Sequence, residues 1–447
     1  MPMTRGLRTA WLGRALACLA GAGCAAGPVD RVAPAPPPPA AEAVPAPEPA
    51  PAQAMGAESG PPPAVASAAA RPTEEAFVLP QRGVWVARWD LKSPEELVRI
   101  LETAAQEGFN QIYLQVRGEA DAYYRSSLEP WAQPLGGSLG KDPGWDPLGL
   151  ALEQARRLGL EIHAWVNVAS AWKGAALPPL SQPRHILLSH PEWRVVDARG
   201  RTSGYSESGY AFVNPTHPGF QEHLLRVLDE LLERYPVDGL HLDYCRFPAA
   251  NTSFDRDSRR RFAAARKADP SLDRAAWQRR ELAAFVERIR SMARARRPGL
   301  VVSAAVTGIY RDRFGWGNVA QGYFDFHQDS FAWAEQGALD ALVPMIYWPP
   351  TDPPGGWADF ATLAREFAPL RDKVRLLAGI NVASGPLSVL RREIELAREE
   401  GFSGVVLFSW RGLLERNLIG RLRQELFLTR PPAVSAAREL PPARSPR

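Results

Sequence analysis

The segment Asp238-Gly239-Leu240-His241-Leu242-Asp243-Tyr244-Cys245-Arg246-Phe247-Pro248 sets a carboxylate at the end of a short apolar run, with an arginine three residues further on. A carboxylate there costs desolvation unless it is paired or put to work. Asp243 is therefore the first candidate for a catalytic group, and a structural carboxylate held against Arg246 is the competing reading. The chemistry that suits it is hydrolysis of a glycosidic bond. That reaction needs a second carboxyl group, roughly 5 Å from the first for retention and further away for inversion. Glu119 and Asp121, just beyond the apolar run Gln111 to Val116, are the leading choices, and Asp312 and Asp329 are alternatives.

Other polar and aromatic residues stand where apolar runs end. Arg117, Trp165, Asn167, Arg246, Tyr347, Trp348 and Trp410 read as hydrogen-bonding and stacking groups for a sugar, with core packing as the alternative. His163 and His241 precede the ends of their runs and form neither H-x-H nor H-E-x-x-H, so they read as core histidines. No metal or other cofactor is expected. Ser409 lacks the G-x-S-x-G surroundings of a nucleophile elbow and Cys245 has no evident histidine partner, which argues against acyl chemistry.

These residues need a scaffold that gathers strand ends. Between Pro80 and Leu428, eight apolar runs alternate with eight amphipathic stretches. The expected strands are Gly83 to Trp89, Gln111 to Val116, Glu161 to Val166, Gly239 to Asp243, Leu300 to Val306, Ala341 to Tyr347, Val374 to Ile380 and Gly404 to Phe408. Near-continuous apolar runs suit parallel strands covered on both faces. Ser93-Pro94-Glu95-Glu96 opens the first helix and Gly108 closes it. The others are expected at Pro147 to Leu158, His217 to Tyr235, Arg274 to Ala295, Tyr323 to Gly337, Trp357 to Leu370, Pro386 to Glu400 and Gly412 to Leu428. No G-x-G-x-x-G or P-loop is present, and eightfold alternation predicts an α/β fold of the (β/α)8 TIM-barrel type over 80–428. The longest interruption, Ala169 to Thr216, is expected to form one wall of a cleft on the C-terminal face of the barrel.

The ends of the chain read differently. Arg5, Arg8 and Arg14 precede a short apolar run that closes at Leu19-Ala20-Gly21-Ala22-Gly23-Cys24, so 1–24 reads as an export signal with Cys24 as a lipidation site. Residues 25–75 are rich in Ala, Pro and Glu and cannot repay the entropy of folding; they are expected to be a disordered tether, as is the Pro- and Arg-rich tail 429–447. With Cys24 acylated, no intramolecular disulfide is expected to support the fold. A net charge of +4 from interspersed residues, with no basic run beside aromatics, argues against nucleic acid as a partner. The expected partners are a polysaccharide and, through the lipid, a membrane. The expected location is the cell envelope after export across the inner membrane, with sorting to the outer membrane as an option because no Asp follows Cys24.

An ordered series of short motifs runs along the folded part. It begins with R-G-V-W-V at Arg82, Q-V-R at Gln115, D-A-Y-Y-R-S at Asp121, L-E-P-W at Leu128, D-P-L at Asp146, H-A-W-V-N at His163 and V-N-P at Val213. It continues with the Asp238 segment, W-Q-R-R at Trp277, W-A-E-Q-G-A-L-D at Trp333, V-P-M-I-Y-W at Val343 and L-F-S-W at Leu407. Together they resemble the bacterial glycosyl-hydrolase-like family 10 proteins, barrel lipoproteins that include a peptidoglycan glycosidase acting on strands stripped of peptide. The resemblance implies a hydrolase barrel in the envelope. This sequence departs from that pattern around Val168 to Ser170 and at Met345, where polar or aromatic groups are usual. Three functions are expected to compete: a glycosidase of envelope glycan, a non-catalytic glycan-binding barrel lipoprotein, and, less favoured for want of ligand spacing, a metal-dependent deacetylase.

Overall fold

The structure is a computed structural model that describes residues 78–428, apart from 175, 203–209 and 356. The expected export signal, Cys24, the tether 25–75 and the tail 429–447 lie outside the described residues.

Ten strands are described: β1 (Gln81–Val86), β2 (Gln111–Arg117), β3 (Glu161–Asn167), β4 (Ser170–Lys173), β5 (Tyr210–Phe212), β6 (Gly239–Asp243), β7 (Val301–Thr307), β8 (Ala341–Ile346), β9 (Arg375–Asn381) and β10 (Gly404–Phe408). Eight of them close into a parallel barrel in the order β1-β2-β3-β6-β7-β8-β9-β10, and β4 pairs with β5 as a separate antiparallel ribbon. The expected TIM barrel is thus present. Both faces of its strands are covered: β2, β6 and β8 are buried along their whole length.

Local chemistry starts the outer helices. Ser93 accepts a hydrogen bond from the Glu96 N–H (3.2 Å) ahead of α1 (Pro94–Gln106), and Asp146 accepts one from Gly149 (3.1 Å) ahead of α2 (Pro147–Leu158). Each cap satisfies a donor that the helix itself leaves open. Helix α3 (Pro218–Arg234) and α5 (Arg274–Arg296) fall where expected. Helix α4 (Arg256–Ala268) was not expected: it is strongly polar and only its Ser258 is fully buried, so no apolar run marked it. The stretch expected as one helix from Tyr323 to Gly337 divides into a turn, Gly322–Asp325, and α6 (Ser330–Glu335), separated at His327, whose φ of 51° is left-handed. The expected last helix is a short α7 (Trp410–Glu415) followed by a separate turn at Arg423–Phe427.

The barrel floor is aromatic. Tyr113 stacks on His163 with centroids 4.7 Å apart, and His241 meets Tyr113 edge-on at 4.7 Å. Glycine supplies the space: a Cβ on Gly239 would lie 2.1 Å from the His163 ring, and one on Gly379 would lie 3.0 Å from Trp85. Trp85 Nε1 donates to His241 Nε2 (3.1 Å), which leaves Nδ1 as the protonated nitrogen, donating to Ser303 Oγ (2.9 Å). Burial holds the His241 pKa well below its ordinary value, in keeping with this neutral tautomer. His163 and His241 are packing and hydrogen-bonding residues of the floor.

Candidate active site

Above this floor, the C-terminal ends of the strands surround a cleft. Asp243 ends β6 and pairs in register with Asn167 at the end of β3. The next residue, Tyr244, has φ 49°, a left-handed conformation that costs a non-glycine residue on the order of 1–3 kcal/mol and is sustained only where its surroundings fix it. That turn brings the Tyr244 N–H onto Asp243 Oδ1 at 2.6 Å, while Trp165 Nε1 donates to Oδ2 at 3.1 Å. Both carboxylate oxygens are thus held, and the residue is 8% exposed. Burial nevertheless raises the Asp243 pKa against the pull of those donors and of Arg246.

Arg246 also lines the cleft, its guanidinium carbon 5.0 Å from the centroid of the Tyr244 ring and 4.3 Å from that of Phe326. On the opposite wall stands Arg88, in the turn after β1. It donates to Glu119 (2.5 Å), to Tyr210 Oη (3.1 Å) and through its backbone N–H to Gln115 (3.1 Å). Gln115 continues the chain to Asn167 Oδ1 (3.2 Å), and Asn167 donates onward to the Gly118 carbonyl (3.0 Å). Gly118 is needed for this, since a Cβ there would sit 2.5 Å from Arg88 Cδ.

The residues expected to contact substrate separate accordingly. Asp243, Trp165, Asn167, Arg246 and Tyr347 line the cleft together, with Tyr347 stacked on Phe408 at 5.6 Å. Arg117 lies beneath it, bonded to both oxygens of Glu129 at 2.8 and 2.7 Å and to the Asn167 carbonyl. Trp348 packs against the hydrophobic core, and Trp410 is buried in that core. Glu119 and Asp121 are outside the lining. Glu119 is tied to Arg88 and to the Lys173 N–H (2.9 Å), with its pKa raised by burial despite Arg88. Asp121 accepts from the backbone of Glu119 (2.8 Å) and Gly118 (3.3 Å) and so shapes the loop. Asp312 accepts three backbone N–H groups within its own loop, and Asp329 caps α6 while accepting the Tyr310 hydroxyl at 2.7 Å. Among the described residues, Asp243 is the one carboxylate in the cleft lining.

Sequence reasoning passed over Trp85, Arg88, Trp89, Gln115 and Tyr244, which also face the cleft, whereas Tyr210 lines it from the long loop that was expected to form a wall. Gln115 left a trace, a polar residue within an apolar strand, and Trp85 stands on the expected first strand. Arg88 left none, because the chain turns at Arg88–Asp90 where a strand was expected to continue to Trp89. Met345 and Ala305 make the wall over β7 and β8 apolar, so one of the two departures from the resembled pattern, Met345, is a cleft position, while Val168 to Ser170 are buried outside the lining.

Known proteins resemble this chain in sequence and in fold. The family described as "Glycosyl hydrolase-like 10" matches residues 80–388. The glycosyl hydrolase DigH of Escherichia coli (strain K12) is 27% identical over 307 residues, covering 60% of this chain and 66% of that protein. The glycosyl hydrolase YngK of Bacillus subtilis (strain 168) is 28% identical over 288 residues, covering 60% of this chain and 54% of its own. The chain thus spans just under two-thirds of the first relative and about half of the second. In fold it is similar to the PgaB (BpsB) glycoside hydrolase domain from Bordetella bronchiseptica, with a TM-score of 0.56 at 14% identity over 77% of this chain and 98% of that domain. The family match takes in β1 to β9 and every cleft residue except Phe408, and this chain belongs to the glycosyl hydrolase-like 10 family.

Proposed function

We propose that this protein is a glycoside hydrolase of the cell envelope that cuts peptidoglycan glycan strands. The observation that carries the reading is Asp243: a buried carboxylate at the mouth of the barrel, each oxygen fixed by one N–H, in a cleft that Trp85, Trp165 and Tyr347 line with aromatic side chains. The transition state of glycoside cleavage carries positive charge at the anomeric carbon, and a preorganised anion beside it stabilises that charge. Because burial raises its pKa, Asp243 is also a better base toward an attacking water than a solvated aspartate. Protonation of the leaving oxygen falls to a second group. Glu119, whose pKa is likewise raised by burial, is the candidate, and to act it must release Arg88.

A second reading has an observation in its favour: with a single carboxylate among the described cleft-lining residues, the barrel would hold glycan without cutting it. The deciding experiment incubates the full-length protein with purified peptide-free glycan strands and follows new reducing ends, beside Asp243→Asn and Glu119→Gln. Release of fragments by the unaltered protein and not by Asp243→Asn supports the hydrolase. Binding without release by all three proteins supports the glycan-binding barrel. The envelope location rests on the Arg-rich start and on Cys24 with its tether. Absence of labelled fatty acid from the unaltered protein expressed in cells, together with its recovery in the cytosolic fraction, would sink it, and loss of label in Cys24→Ser would support Cys24 as the anchor.

A further inference from the structure

Arginine carries five N–H donors, and the buried arginines of this barrel spend theirs on the protein. Arg82 donates to the carbonyls of Gly108 and Leu79, Arg88 to Glu119, Gln115 and Tyr210, and Arg117 to Glu129 and the Asn167 carbonyl. Arg246 is 9% exposed, as deeply placed as these, yet among the described residues its side chain makes neither a hydrogen bond nor an ion pair. Among the described residues it is positioned by the ring faces of Tyr244 and Phe326. Ring faces hold the plane of a guanidinium and leave its N–H edge unsatisfied. Arg246 lines the cleft that contains Asp243.

A guanidinium held at the cleft without a protein acceptor among the described residues must find one in the cleft, and Asp243, though close enough to favour its charge, forms neither a hydrogen bond nor an ion pair with it. Burial accordingly lowers the Arg246 pKa in spite of Asp243. A planar anion with two oxygens is the group that matches such a fork, through two parallel charge-assisted bonds. A sugar hydroxyl would accept one bond and leave the charge uncompensated.

We propose that Arg246 is the specificity-determining residue of a carboxylate subsite, so that the substrate is an acidic glycan with a free carboxylate on the sugar seated next to Asp243. This rests on the hydrolase reading for its substrate and deepens it. The carboxylate can belong to an ether side arm, as in muramyl sugars, or to C6, as in uronic acids. In either case a carboxyl already condensed with an amine is refused, because an amide presents N–H groups to a donor fork.

The test is a binding measurement on full-length Asp243→Asn protein, which separates recognition from cleavage. Peptide-free muramyl strands, the same strands with every carboxyl converted to the amide, and oligogalacturonides are titrated calorimetrically. Amidation is expected to weaken binding roughly tenfold to a hundredfold, the range for a hydrogen bond to a charged group. Adding Arg246→Gln should remove the discrimination, and Arg246→Lys, which keeps the charge and loses the fork, should restore part of it. Preference for muramyl strands assigns the side-arm carboxylate, and preference for oligogalacturonides assigns C6. Equal affinity for amidated and free strands, binding of neither, or discrimination that survives Arg246→Gln overturns the subsite. Cleavage by the unaltered protein is scored separately and bears on the hydrolase reading alone.

Discussion

Two carboxylate–arginine regions lie at the top of this barrel, and they have opposite electrostatics. Glu129 and Arg117 form a closed pair with two parallel hydrogen bonds. Burial pushes the Glu129 carboxyl up, but Arg117 and the nearby His223 outweigh it and hold the pKa at about 2. Asp243 and Arg246 are also buried but form no such pair, and burial shifts each pKa toward the neutral form. The first region has compensated its charges within the protein. The second has left them open toward the cleft, as a site must if the compensating charge arrives with the substrate or develops in the transition state.

The largest expected effect is on Asp243→Asn, which should lower the rate of glycan cleavage by about a thousandfold, within the range for a group that acts directly on the bond. Its melting temperature should be unchanged or raised, because a carboxylate with a raised pKa is a burden on the fold at neutral pH. A marked fall in melting temperature would mean that Asp243 is structural. The converse holds for Glu129→Gln. Leaving Arg117 charged and buried without its partner should cost about 3–5 kcal/mol in urea unfolding, while turnover per folded molecule changes little.

Acid should separate the same two regions. Glu129 has a depressed folded pKa, so its contribution is complete above the ordinary value of 4.5 and is lost as pH falls toward about 2, on the order of 3 kcal/mol in all. Asp243 has a raised folded pKa, so its contribution has the other sign, present below its ordinary 3.8 and lost as pH rises through the raised value. Stability measured against pH should therefore lose its steep acid limb in Glu129→Gln and keep it in Asp243→Asn. The smallest effect is expected for Trp165→Phe, which removes one donor from Asp243 and keeps an aromatic face. Activity should drop about tenfold with a stability change near 1 kcal/mol, and an unaltered rate would show that Asp243 needs no such donor.

The barrel was legible in the sequence because parallel strands covered on both faces must be apolar throughout, and the eight runs recorded that demand. Asp243 was legible for the opposite reason, as a charge where the run demanded none. Glu129 was not, because it sits in a loop and its partnership with Arg117 exists only once β2 and that loop fold back on each other. Arg88 escaped for the same reason, since its role depends on Gln115 and Glu119 from β2 and its loop and on Tyr210 from β5. Helix α4 escaped because its stretch is dominated by charged residues and small alanines, with no run of large apolar side chains to mark it.

The ribbon of β4 and β5 has a consequence of another kind. A closed barrel offers no unpaired strand to a neighbouring molecule, so among the described residues these short strands carry the sheet edges that remain open. Any tendency of this protein to self-associate through its backbone is thereby concentrated at the rim of the cleft, where β5 contributes Tyr210 to the lining. Strands of four and three residues give little purchase to such pairing. Lengthening the ribbon would trade colloidal solubility for a larger wall, which sets a limit on how far this loop can grow.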